Sequence, residues 1–249
     1  MAFNPMHQFA VTRLLPLYLP WGIDISISNA AISMLISLLI VVSMAYISRI
    51  YKDRAMKNPV CKLTKFHMLF ELIYQMIETM LISTSGQKAL RFMPLIFTIF
   101  LFILLNDLVG MIPATFAVTS HIAVTFSIAI VLFIGMTIFG ICKHGFNFLS
   151  LFIPKGAPFF ILPMMFVIEL CIYLAKPISL SLRLAANVMA GHIILKVIAY
   201  LVVSSGVMGF LPFALLIILT GFEIFVSILQ AYIFTMLVCV YLNDAINLH

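Results

Sequence analysis

Residues Phe159–Leu201 read FFILPMMFVIELCIYLAKPISLSLRLAANVMAGHIILKVIAYL, and the length of this run decides the fold. It holds 43 residues of largely helical, apolar pattern. As one helix it would be about 65 Å long, twice the roughly 30 Å hydrocarbon core of a bilayer. An upright span cannot contain it. A two-span hairpin would have to turn near Lys176 and Pro177, leaving Arg183 or Glu169 inside one of its arms. One long, steeply tilted helix kinked at Pro177 accommodates the same residues. Val207–Asn243 repeats the problem with 37 residues, or about 55 Å. Two such helices packed as a pair resolve both lengths, with Ser204, Ser205 and Gly206 as the turn between them.

The rest of the chain agrees. Of 249 residues, 64% are hydrophobic and 9% charged, against about 45–50% and 25% in soluble domains, which excludes a water-soluble fold. Ile25–Ser48 has no charge, while Phe92–Cys142 and Val197–Asn243 carry one acid each, Asp107 and Glu223. The expected fold is therefore all-α and polytopic, with about five membrane helices near 28–50, 94–112, 119–141, 159–201 and 207–243. A sixth, amphipathic helix is expected near 62–84. There Thr64, Glu71, Gln75 and Glu78 recur opposite Phe66, Leu69, Phe70, Ile73, Ile77 and Leu81, so it lies on the membrane surface or packs into the bundle. Residues 1–27 read as an outer-side segment, with Trp21 suited to the interface, and 28–249 as a single membrane domain. No signal-peptide pattern surrounds Arg13, so the first span is expected to stay in the mature protein.

The formal charge of +6 matters less than its placement. Six of the fourteen basic residues fall between Arg49 and Lys65, directly after the first span. By the positive-inside rule that cluster faces the cytoplasm or matrix, and Lys143, His144 and Lys155 belong on the same side. No aromatic-interleaved basic fold accompanies it, so nucleic acid is not an expected partner. Cys61, Cys142, Cys171 and Cys239 have neither metal-ligand nor redox spacing and read as packing residues; no cofactor or metal is expected.

Within the decisive run, Glu169, Lys176 and Arg183 stand seven apart and share one helix face within about 40°, with Asn187 four residues on. A charge at mid-bilayer costs about 2.5–3.5 kcal/mol on insertion scales, so three on one stripe call for a polar surface. Lys176 has an alternative, since its long stem reaches an interface by snorkelling. His192 lies nine residues past Arg183, half a turn away, and faces the partner helix. There Glu223, Ser227 and Gln230 stand at i, i+4 and i+7. An acid and an imidazole together form a titratable pair able to relay protons.

These residues resemble a known family. KPISLSLRLAANVMAGH, Lys176–His192, is similar to the signature of subunit a of F-type ATP synthases, the mitochondrial subunit 6. LQAYIFTMLVCVYLND (Leu229–Asp244), NDLVGMIP (Asn106–Pro113), VTSHIAVTFSIAI (Val118–Ile130) and NPMHQF (Asn4–Phe9) extend the likeness over nearly the whole chain. The resemblance implies a stator subunit gripping a ring of c subunits, alongside peripheral-stalk b subunits, the catalytic head and membrane lipid. It places Arg183 as the essential arginine that favours the ionised ring carboxylate and separates two offset half-channels. Asn187 matches a polar position beside it. Glu169 would line the cytoplasmic half-channel, and His192, Glu223 and Gln230 the outer one. Two departures stand out. Asp107 replaces an apolar residue and is either an added outer-channel acid or a group near the interface; Lys176 replaces an arginine and loses the bidentate fork.

No GxxxxGK[ST] loop is present, so nucleotide chemistry belongs to other subunits and this chain is not itself an enzyme. A cytochrome would need facing histidine pairs, and an intramembrane hydrolase a Ser/His/Asp or HExxH set; neither occurs. A stand-alone ion or proton transporter, the remaining alternative, is expected to show internal repeats, and none is visible. The ending Tyr241–Asp244 resembles bacterial relatives of the mitochondrial lineage, which implies a bacterial inner membrane, with the mitochondrial inner membrane as the alternative.

Overall fold

A computed structural model describes residues 13–15, 27–57, 65–111, 118–145, 148 and 161–247. Trp21, Cys61, Thr64 and Lys155 lie outside the described residues. Two short antiparallel strands, β1 (Arg13–Leu15) and β2 (Ile27–Ser28), precede six helices. These are α1 (Asn29–Lys57), α2 (Lys65–Ser85), α3 (Met93–Gly110), α4 (Ile122–His144), α5 (Leu162–Ser204) and α6 (Phe210–Ile246). Short 3-10 turns at Gln87–Phe92, Val118–Ser120 and Gly206–Gly209 lead into α3, α4 and α6. The expected all-α polytopic membrane fold is what forms.

Four helical stretches, Gln87–Gly110 and α4 to α6, are long and apolar enough to cross a membrane, and α1 adds a shorter apolar run, Asn29–Met44. The decisive run is a single helix. α5 keeps its hydrogen-bonded path through Pro177, so the hairpin alternative does not form. With 43 residues in α5 and 37 in α6, both exceed an upright crossing by a wide margin. The turn between them depends on Gly206, whose φ of +54° is the left-handed conformation that costs glycine nothing. Ser205 closes it by donating both its N–H and its hydroxyl to the Leu201 carbonyl, at 3.0 and 2.7 Å.

Helix ends follow local chemistry. Ser28 and Asn29 accept from the N–H groups of Ala31 and Ala30 and start α1. α1 then continues seven residues past Ile50 to Lys57, because nothing before Pro59 interrupts it. Pro94 occupies the first turn of α3, where its missing N–H has no intrahelical role. Thr79, Thr98, Thr137 and Thr220 each donate a hydroxyl hydrogen to the carbonyl four residues earlier, an acceptor within their own helix.

The chain forms two compact units, 1–44 with 101–125 and 183–231, and 45–100 with 126–182 and 232–249. The second unit has an aromatic interior. Phe97 meets Phe70 and Tyr74 edge-on at 5.0 and 5.5 Å, which seats one face of α2 on α3. Ser85, at the end of α2, donates to the Cys239 carbonyl of α6 at 2.8 Å. Glu71 and Gln75 stay exposed and Glu78 half-buried, so α2 packs by its apolar face and keeps its polar one outward. The first unit has a polar interior. Among the described residues, ten of the thirteen buried polar side chains belong to it, including all three that can carry charge, Asp107, His192 and Glu223.

Candidate functional site

The polar residues of α6 define the site within the first unit. Glu223, Ser227 and Gln230 are 9%, 3% and 8% exposed, while Phe222 and Phe225 beside them are 62% and 60% exposed. Helical spacing alone turns the polar stripe inward and the aromatic one outward. Burying an acid, a hydroxyl and an amide on one line is costly without polar neighbours. Two other helices supply them.

The first is α5. A Cβ at Gly191 would overlap the Glu223 carboxylate, lying 2.8 Å from its carboxyl carbon. The missing side chain is thus the space the carboxylate occupies. The next residue, His192, is buried at 5% exposure and belongs to the same unit as Glu223. Neither Glu223 oxygen has a hydrogen-bond partner among the described residues. Lys196 follows His192 by one turn and is half-buried.

The second is α3. Ser227 donates its hydroxyl to the Met111 sulfur at 3.8 Å, which sets the α6 stripe against the end of α3. One turn earlier on that face lies Asp107, 1% exposed. Asn106 beside it is anchored from two sides, donating to the Phe102 carbonyl at 2.8 Å and accepting from Ser37 of α1 at 3.0 Å.

Arg183 stands apart from this interior. It is exposed and makes no hydrogen bond or ion pair with any described residue. The residues that continue its face along α5, namely Ala186, Ala190, Ile194, Val197 and Leu201, are exposed as well. On α6, Ile218, Phe222 and Phe225 are likewise uncovered. A guanidinium without a counterion therefore emerges from an apolar surface.

The heptad stripe of the sequence meets different surroundings along α5. Asn187 and Glu169 are half-buried. Lys176 is also half-buried, and its ammonium sits 5.8 Å from the centre of the Tyr241 ring. That ring belongs to a cluster in the second unit, with Phe133 and Tyr173 at 5.6 and 6.2 Å. The Tyr173 and Thr137 hydroxyls are 2.9 Å apart. Lys176 is thus engaged by an aromatic face, an attraction that spacing could not reveal.

Sequence reasoning missed Gly191, Ser37, Thr119 and Tyr241. Only Gly191 carried a signal, since a glycine inside a helix costs about 1 kcal/mol relative to alanine and so points to a packing reason. Compared with known families, residues 31–243 match the one described as ATP synthase A chain.

Proposed function

Since the chain belongs to the ATP synthase A chain family, a membrane-sector subunit without a nucleotide site, we propose that it is the stator through which protons reach a rotating ring of c subunits. The observation that carries this reading is the exposed, unpaired Arg183 on an apolar face. A lone cation in hydrocarbon costs about 2.5–3.5 kcal/mol even on insertion scales, so a partner must answer it. A ring helix with one membrane carboxylate does so. The guanidinium stays charged at any working pH and holds that carboxylate ionised as it passes.

In this reading His192, Glu223 and Gln230 form the outer half-channel inside the first unit, where the Glu223 carboxylate lies against Gly191. Glu169 serves the opposite half-channel, and Asn187 is the polar position one turn from the arginine. A proton enters from the outer side, neutralises a ring carboxylate, rides the ring and leaves past Glu169. Each charge crossing 100 mV is worth about 2.3 kcal/mol, so several must pass for each ATP made by the head. Peripheral-stalk b subunits hold the stator still. The home of the complex is a bacterial inner membrane, with the mitochondrial inner membrane as the second candidate.

The test is Arg183→Ala in the assembled complex. ATP-driven proton pumping into inverted vesicles should vanish while the head, once detached, hydrolyses ATP at the normal rate. Normal pumping by this variant would overturn the reading.

A further inference from the structure

The groove between α2 and α6 in the second unit takes no part in the stator scheme. It holds about 530 Å³, with Leu72, Met76, Thr79 and Met80 of α2 on one side and Tyr232 and Met236 of α6 on the other. Cavities of this size accept one small ligand. Met80 is buried and forms the floor, while Leu72, Met76, Tyr232 and Met236 are exposed along the rim.

The groove has a length and a direction. Its α2 wall extends from Leu72 to Thr84, twelve residues or about 18 Å. Half of a 30 Å hydrocarbon core is about 15 Å, so the groove is about as long as one leaflet is deep. At its end Ser85 is tied to the Cys239 carbonyl, three residues beyond Met236 and seven beyond Tyr232. The groove therefore runs along α6, a helix long and apolar enough to cross a membrane.

Its lining suits a hydrocarbon chain better than a polar molecule. The three hydroxyls of the α2 wall are already used: Thr79 donates to the Gln75 carbonyl at 2.8 Å, and Ser83 and Thr84 donate to the Met80 carbonyl at 2.9 and 2.8 Å. Apart from the Gln75 amide and the Tyr232 phenol, what remains is methyl, methylene and thioether surface. Methionine in particular adapts to an occupant of irregular shape.

Charge stands at the Leu72 end. Lys65 is exposed seven residues before Leu72, two turns back and within about 20° of its face. Glu71 is exposed immediately before Leu72. Neither makes an ion pair or hydrogen bond with a described residue. Glu78, half-buried one position before Thr79, adds a second negative charge to that flank. A wholly anionic headgroup would meet two carboxylates here, whereas a zwitterionic one answers both signs, its phosphate to Lys65 and its ammonium to Glu71.

We propose that this groove is a phospholipid site, with one acyl chain lying along α2 and α6 and a zwitterionic headgroup held between Lys65 and Glu71. The occupant is a lipid of the membrane itself, continuous with the apolar surface that Tyr232 and Met236 present to the bilayer. This goes beyond the stator reading and does not depend on it.

The experiment uses the assembled complex in phosphatidylcholine vesicles doped with a phosphatidylethanolamine that carries a photoreactive diazirine near the end of one chain. After illumination, adducts are located by peptide mass spectrometry. Val131, exposed on the membrane helix α4, reports contact with bulk lipid. Adducts on Met76, Met80 and Met236 should exceed those on Val131 about tenfold, the excess that a preference of about 1.4 kcal/mol over bulk lipid gives. Thr79→Trp fills the groove and should bring them down to the Val131 level. Lys65→Gln should lower them several-fold for this probe and leave them unchanged for a diazirine diacylglycerol, which has no phosphate. Groove adducts at the Val131 level in the wild-type complex overturn the proposal. So does their complete absence, which would mean that a neighbouring subunit covers the groove, and so does an excess that Thr79→Trp leaves intact. If Thr79→Trp does not assemble, Lys65→Gln decides: an undiminished excess of phosphatidylethanolamine adducts overturns the headgroup assignment and the proposal with it. No proton flow is measured, so failure here and failure of the Arg183→Ala test are distinct results.

Discussion

A single hydrogen atom on Gly191 is what lets the Glu223 carboxylate lie against α5. Gly191→Ala adds a methyl group that overlaps that carboxylate, and overpacking of this kind costs about 1–3 kcal/mol. The acid is the mobile partner, so the expected outcome is a displaced Glu223 and impaired proton conduction in a complex whose melting temperature falls by a few degrees. Gly221→Ala is the control. It sits on the exposed side of α6 with nothing within 4 Å of the added atom, and should conduct normally. At this scale the sequence was legible for residue types and poor for partners. Glu223, His192 and Arg183 could be singled out because charge in an apolar run is conspicuous. The Gly191 contact, the Ser37 to Asn106 bond and the Lys176 to Tyr241 pairing each join residues distant in the chain, and no local pattern encodes them.

Elements were legible to within a turn. Apolar run lengths located every long helix, and the observed ends of α2, α4, α5 and α6 lie one to three residues beyond those expected. α1 was the exception, because its basic tail reads equally as an exit from the membrane and as more helix; the second is what forms. The heptad stripe on α5 shares a face but not an environment: Arg183 is exposed, Glu169 is half-buried, and Lys176 is half-buried beside the Tyr241 ring. The far end of α6 depends on another element: Lys143 and His144 of α4 reach the Ile246 carbonyl at 3.0 and 3.3 Å. Cations at a helix C-terminus satisfy its free carbonyls and its dipole. Lys143→Ala should therefore speed amide hydrogen exchange in the last turn of α6, while exchange near Glu223 stays as it was. Equal acceleration along the whole helix would mean that the contact holds more than the end.

For the whole molecule, the proposal turns on which surface meets the ring. Ala186 and Ala185 are neighbours in sequence, yet Ala186 is exposed on the face of Arg183 and Ala185 is completely buried. In a background lacking Cys61, Cys142, Cys171 and Cys239, Ala186→Cys should cross-link to a cysteine placed beside the ring carboxylate, and Ala185→Cys should not. Cross-linking at both positions, or at neither, would move the ring to another face. The opposed placement of Arg183 and His192 on one helix, the first uncovered and the second interior, has an electrical meaning. Under the stator proposal, the backbone of α5 would stand between them as insulation, so that a side chain on the His192 face could pass a proton to the ring only where a channel opened onto it. A short circuit would then need the helix itself to unwind, which would make tight coupling a matter of secondary structure as much as of charge.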